Sequence, residues 1–234
     1  MFWTPLKPTL SEKGNSTVCL VEGKGVRLLK ASRINILLRK TMILEGIVTT
    51  LNEDGSLNIA PMGPVVDSEI EFFELKPFRT STTYRNLRRT ECGVLHITDD
   101  VLVFAQAAIG NPSEELPTLP TERIKGRFLA GACRVFEFRV DWMDDTSNRS
   151  VVKCKTVFTR RLRDFFGFNR AKHAVIEAAI LSTRVDFLPP AEVRDQFARL
   201  GVIVEKTGGE NERTAFELLD AYVKSWAEGA TLQS

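Results

Sequence analysis

Residues Phe78 to Arg89 read FRTSTTYRNLRR. Four hydroxyl side chains, Thr80 to Thr83, stand between arginines and lead into a short helical pattern with Leu87 as its apolar contact. Hydroxyls and free backbone N–H groups at a helix start, with guanidinium groups nearby, are what an oxyanion or a phosphate requires. The same residues suit an N-cap cluster followed by a solvated basic face, or contact with nucleic-acid phosphates. A second stretch has a similar character. Asn169 is a good N-cap, and the turn after it holds Arg170, Lys172 and His173. A helix start favours Asp or Glu by roughly 0.3–1 kcal/mol per group. Cations there suit solvent, or an anion held between them and the free N–H groups. One phosphate-bearing ligand reached by both helix starts, with Arg79, Thr80, Ser81, Thr82 and Asn86 on one side and Asn169, Arg170 and Lys172 on the other, is the economical expectation.

A third stretch offers something different. Asn58, Ile59, Ala60, Pro61, Met62, Gly63 and Pro64 end a strand with two prolines and a glycine. Proline cannot donate to a ladder, so the strand stops or lies at a sheet edge. Its unpaired backbone groups can then face a flat ring, or mark an ordinary strand exit. Nucleophilic chemistry has little support. Cys92 and His96 are too far apart on a strand for direct contact, and His96 reads as a packed strand histidine. Cys19, Cys92, Cys133 and Cys154 form no C-x-x-C pair, which points to reduced thiols in a cytoplasmic protein and no metal site. Asp99 and Asp100 read as helix caps, and Asp141, Asp144 and Asp145 as turn residues.

The charge is unevenly placed. Residues 1–41 hold eight Lys/Arg and two acids, leaving 24 basic against 28 acidic residues beyond them. A mildly acidic main body argues against a general nucleic-acid or anionic-membrane binder. No apolar run approaches a membrane span, and the N-terminus lacks the pattern of a signal peptide. Residues 1–41 are weakly patterned. They read as a basic extension with little stable structure, or as an upstream mis-call ahead of a start at Met42.

The elements that must carry these residues follow in order. Leu44–Leu51 is a β-branched strand, Asn52–Gly55 a turn, and Ser56–Ala60 the returning strand. Ile70–Leu75 is a further strand. Thr82 or Thr83 caps a helix reaching Thr90. Gly93–Thr98 is a strand, and a helix runs to Ala108. Residues 111–120 are a loop. Ala132–Met143 and Arg149–Arg161 alternate like two long antiparallel strands, with Glu137 on the face opposite Phe136 and Phe138. From Asn169 the chain turns helical: one helix to about Arg184, a second from Pro189-Pro190 that Gly201 stops, a short strand at Val202–Glu205, and a last helix over Arg213–Ala227. The pattern is mainly β with α additions, an antiparallel barrel at 42–165 followed by a helical part at 166–234.

The strand, turn and Asn58-x-Ala60-Pro61 pieces, followed by Thr82-x-x-x-Asn86-Leu87, resemble the FMN-binding split-barrel, or flavin reductase-like, superfamily. Met62–Pro64, Thr83–Leu87, Asp99–Ile109 and Gly167–Arg184, in that order, resemble the blocks of its DUF447 family. This resemblance spans roughly Met42 to Trp226; residues 1–41 have no counterpart in it. It implies a six-stranded antiparallel split β-barrel, a homodimer, and FMN bound non-covalently near the dimer interface. Carried over by position, Asn58, Ala60, Pro61, Met62 and Gly63 would lie along the ring. Arg79, Thr80, Ser81, Thr82 and Asn86 would hold phosphate and ribityl groups. Asn169, Arg170 and Lys172 would add phosphate or dimer contacts. Such proteins occur alongside tetrahydromethanopterin-linked one-carbon metabolism, but the resemblance supplies no reaction. An oxidoreductase with a small-molecule electron donor or acceptor, a flavin carrier or sensor, and a nucleic-acid- or partner-binding module using the basic arm are the functions that follow from these readings.

Overall fold

The computed structural model describes residues 17–22, 25–30, 41–110, 112 and 116–231. Strands β1 (Thr17–Glu22) and β2 (Gly25–Lys30) pair antiparallel, inside the stretch expected to hold little stable structure. The other residues before position 41, and residues 111 and 113–115 of the expected loop, lie outside the described residues.

After the two-residue β3 (Met42–Ile43), β4 (Gly46–Leu51) and β5 (Leu57–Met62) form the expected hairpin. The Asn52–Gly55 turn closes through Asn52 N–H to Ser56 O at 2.9 Å, and Gly55 takes φ 85°, which an L side chain rarely adopts. Next come β6 (Val65–Val66), β7 (Phe72–Leu75), α1 (Thr82–Thr90), β8 (Cys92–Ile97) and α2 (Val101–Ala108). A short pair, β9 (Thr118–Pro120) and β10 (Arg127–Leu129), precedes the long strands β11 (Arg134–Asp144) and β12 (Val151–Arg161). Helices α3 (Arg170–Ser182), α4 (Pro190–Thr207) and α5 (Glu210–Thr231) complete the chain.

One antiparallel sheet in the order β3-β6-β7-β12-β11-β8-β4-β5 curls into an open half-barrel. It has eight strands where six were expected; the two extra ones, β3 and β6, are two residues each. Strand alternation fills the interior: Val48, Leu95 and Phe136 follow one another in register across β4, β8 and β11, and Phe73 meets Phe138 edge-on at 5.1 Å. Leu87 of α1 belongs to the same buried cluster. Burying a side chain of this size contributes about 1.5–3 kcal/mol, so Leu87 anchors α1, while Arg79 and Thr80 just before the helix are exposed.

The sheet's other face is covered as well, by β10 and α2 packed on the row Ile47–His96–Val135. This corrects the expectation for Glu137. Its side chain is buried on that second face, and its carboxylate accepts the N–H groups of Glu122 and Arg123 at 2.7 Å each. The simple in/out alternation of β11 holds only where no second layer lies over it.

Helices α2 to α5 share a core that includes Ala105, Ala171, Ala174, Ala178, Val193, Phe197 and Leu219. Gly201 does not stop α4, and Val202–Glu205 is helix rather than strand. A glycine inside a helix costs only about 1 kcal/mol relative to Ala. Here it lies against Phe216 of α5, whose Cε1 would stand 3.3 Å from an added Cβ. No helix among the described residues is long and apolar enough to cross a membrane.

Candidate functional site

Ser81, not Thr82 or Thr83, is the N-cap of α1. Its Oγ accepts the N–H of Tyr84 at 3.2 Å and donates to Phe78 O at 2.7 Å. Phe78 O also accepts the N–H of Ser81, so 78–81 form a tight turn with Arg79 and Thr80 exposed at its corners. No acceptor among the described residues takes the backbone N–H of Thr82 or Thr83. The Thr82 hydroxyl accepts from Arg85 Nη2 at 3.1 Å. The first turn holds no acid, whereas Arg88 and Arg89 stand in the last turn, where the helix dipole favours cations.

Strand β5 is an edge strand, in keeping with Pro61 inside it and Pro64 just beyond. Leu57 through Met62, including Asn58, Ala60 and Pro61, are all half-buried, and Gly63 beyond them is exposed. Beside Gly63 lies Glu45, whose carboxyl pKa is raised first by burial and then by the Glu177 carboxylate, with Arg184 opposing.

Edge strand and helix start are tied together by buried polar side chains. Asn58 Nδ2 donates to Thr83 Oγ1 on α1 and to Thr50 Oγ1 on β4, both at 3.1 Å. Asn86 Nδ2 donates to the same Thr50 Oγ1 at 3.1 Å and to Asn52 Oδ1 at 2.8 Å. Thr50, Thr83 and Asn86 are each less than 5% exposed. Asn86 was expected to touch a ligand directly; both its amide hydrogens are committed inside the fold. Thr50 was not among the expected site residues, and Thr83 was expected only as part of the hydroxyl run. The available signal was the hydroxyl of Thr50 in a β-branched strand, directly opposite Asn58 in the hairpin register.

The start of α3 is built into different surroundings. Asn169 caps it, accepting from Ala171 N–H at 2.8 Å and Lys172 N–H at 3.2 Å, and donates its amide to Thr207 O at 3.0 Å. Lys172 Nζ donates to Glu212 Oε1 and to Asp99 O, each at 2.7 Å. The excess of cation read from the sequence is therefore partly cancelled by Glu212, 40 residues on. Arg170 and His173 remain exposed, and Phe168 stacks on the His173 ring.

Asp99 is not a cap; Asp100 alone takes that place, accepting from Leu102 and Val103 N–H. Asp99 instead receives Arg163 with both oxygens and the N–H of Phe166 at 2.7 Å. The Arg163 hydrogen bonds hold its carboxyl pKa down at about 2, against the opposing effect of burial. His96 is fully buried; Nδ1 lies 3.0 Å from Ile47 O, and Nε2 accepts the Leu129 N–H at 3.1 Å. Burial lowers its pKa to about 4, so it is neutral at pH 7 with its proton on Nδ1, and it serves the fold. Cys92, Cys133 and Cys154 are buried free thiols, with burial raising the pKa of Cys133 and Cys154. No cluster of metal-ligating side chains occurs among the described residues. A cavity of about 300 Å³ opens beside the other end of α1, but its wall carries Glu91, Asp141 and Asp145 with Arg88. That lining disfavours an anion.

An open antiparallel barrel with helices packed behind it defines the class: a mainly β split-barrel protein with a helical C-terminal part. The chain belongs to the DUF447 family of proteins of unknown function, whose N-terminal-domain model matches residues 44–162 and whose second model matches residues 169–221. The FMN-bound DUF447 protein MM1853 of Methanosarcina mazei is similar in structure, with a TM-score of 0.68 at 20% identity over 81% of this chain and 99% of that one. Weaker likenesses include the 2-nitrobenzoate 2-nitroreductase NbaA of Pseudomonas fluorescens, with TM-score 0.45 and 19% identity over 57% of this chain and 73% of that one. The flavin reductase HpaC complexed with NADP+ gives TM-score 0.46 and 17% identity over 59% and 90%.

Proposed function

We propose that this chain binds FMN non-covalently, with the ring along β5 and the phosphate at the start of α1. The observation that carries this reading is the Asn58–Thr83 hydrogen bond of 3.1 Å. It fixes an open strand edge beside a helix start with unengaged N–H groups, and one ligand with a flat polar ring and a phosphate suits both. The residues present fit such a group. Arg79 and Thr80 are exposed, with Ser81 and Thr82 beside them. With Ala60 and Met62 paired to β4, the open side of β5 offers the backbone of Ile59, the Pro61 carbonyl and, beyond the strand, Gly63 to ring oxygens and nitrogens, and the Pro61 ring gives an apolar face. The FMN-bound relative in the same family supports the choice of ligand. Bound flavin would supply electron transfer; the chain's own contribution is to hold, orient and shield it.

The finer reading is a cytoplasmic homodimeric oxidoreductase that takes electrons from a small-molecule donor, with Asn169 and Arg170 adding contacts at the subunit interface. Residues 42–165 would carry the ligand and 166–234 would brace the barrel. A role beside tetrahydromethanopterin-linked one-carbon metabolism belongs to the same proposal. The colour of the purified protein tests the first claim: a yellow pigment released by denaturation is expected, and a colourless protein that takes up no added FMN refutes it. Thr82→Ala with Arg79→Ala should weaken FMN more than riboflavin, since only FMN carries the phosphate; equal loss would remove these residues from the phosphate. Bleaching of bound flavin on turnover of NAD(P)H separates an oxidoreductase from a carrier.

A further inference from the structure

We infer that Thr50 is a positioning residue for the ligand, acting through the Asn58 and Asn86 amides rather than by contact. The inference rests on the flavin reading above and concerns how the two halves of that site are held in register. The ring side is on β5 and the phosphate side on α1, 25 residues apart in sequence at Asn58 and Thr83. A ligand of fixed length engages both only if their separation is fixed beforehand.

The Thr50 hydroxyl is placed to fix it. It faces Asn58 across the β4–β5 hairpin and is 3% exposed. Its Oγ1 accepts one amide hydrogen from Asn58 and one from Asn86, each at 3.1 Å. The second amide hydrogen of Asn58 runs to Thr83 on α1, and that of Asn86 to Asn52 in the hairpin turn. Edge strand, turn and helix thus meet at one oxygen. The neighbouring Thr49 hydroxyl turns to the sheet's opposite face and donates to Arg127 O at 2.9 Å, so it cannot substitute. A buried amide left without its acceptor moves to regain one, and here the movement would shift β5 against α1.

The variants are Thr50→Val, which keeps the shape and removes the hydroxyl, and Thr50→Ser, which keeps the hydroxyl. Affinity for FMN and for riboflavin is measured by fluorescence titration on folded protein, with thermal melting alongside. Thr50→Val should weaken FMN about tenfold or more, the scale of one lost buried hydrogen-bond acceptor. Riboflavin should weaken less, so that the FMN/riboflavin ratio narrows although no ligand-contacting residue has changed. Thr50→Ser should stay within about threefold of the wild type. Should Thr50→Val fail to fold, Thr83→Val removes the other hydroxyl that Asn58 bonds and should narrow the same ratio. A melting shift with the ratio unchanged, or a serine variant as impaired as the valine variant, would overturn the inference and leave flavin binding standing. A wild-type chain that binds neither ligand would overturn the flavin reading itself, and this inference with it.

Discussion

Replacing Asp99 by Asn tests how the barrel is fastened to the helical part. The Asp99 side chain is 6% exposed, accepts two bonds from Arg163 and one from the Phe166 N–H, and is fixed where β8 ends and α2 begins. Its backbone oxygen receives Lys172 of α3. A fall of its pKa from 3.8 to about 2 corresponds to about 2.4 kcal/mol of preference for the charged form in the folded state. Arg163 is 40% exposed, and solvent screening of its guanidinium reduces the net contribution to about 1.5 kcal/mol. Because the folded pKa is depressed, this stability is present above pH about 4 and is lost as pH falls towards 2, with about half gone by pH 3. Asp99→Asn keeps the shape and loses the charge. It should therefore lower the unfolding free energy by about 1.5 kcal/mol at pH 7, or roughly 3–6 °C in melting temperature for a domain of this size. Urea unfolding followed by circular dichroism at pH 7 and pH 3, on both proteins, reads the effect. The gap between them should shrink by about half at the lower pH. A gap under about 0.5 kcal/mol at pH 7, or one of equal size at pH 3, would refute the reasoning.

Two further outcomes separate fold from site. Lys172→Met should cost about 1–3 kcal/mol, because it leaves the Glu212 carboxylate, 9% exposed, without its cation, and it should leave FMN affinity unchanged; Arg79→Ala should do the reverse, and paired melting and fluorescence titrations check both. His96 should remain unprotonated above pH about 5 by NMR, and because its folded pKa of about 4 lies below the ordinary 6.5, stability should fall as pH drops from about 6.5 to 4, a dependence that His96→Gln removes.

The parts of the fold legible in the sequence are those set by local chemistry. The Asn52–Gly55 turn, the proline-limited edge of β5 and the Asn169 cap each depend on a few adjacent residues, and each is where it was expected. What stayed hidden depends on partners far along the chain. Glu137 is buried because β9, β10 and the loop between them cover its face and supply two N–H groups. Gly201 looks like a helix stop until Phe216 fills the space over it. Lys172 looks like an anion seeker until Glu212 reaches it. The same limit applies at the candidate site. The hydroxyl run and the strand end could be read as two ligand-facing surfaces, but the Thr50 oxygen that joins them is visible only once hairpin register and helix placement are known.

The open edge of β5 has a further consequence, for self-association. An edge strand with free backbone groups is a template on which a strand of another chain can add, the usual start of sheet-to-sheet aggregation. Pro61, within β5, has no N–H to offer such a strand, and Pro64 follows the exposed Gly63. The prolines thus keep this edge accessible to a small planar molecule while denying a regular ladder to a polypeptide. Replacing Pro61 would restore a donor to an edge that has no strand neighbour among the described residues.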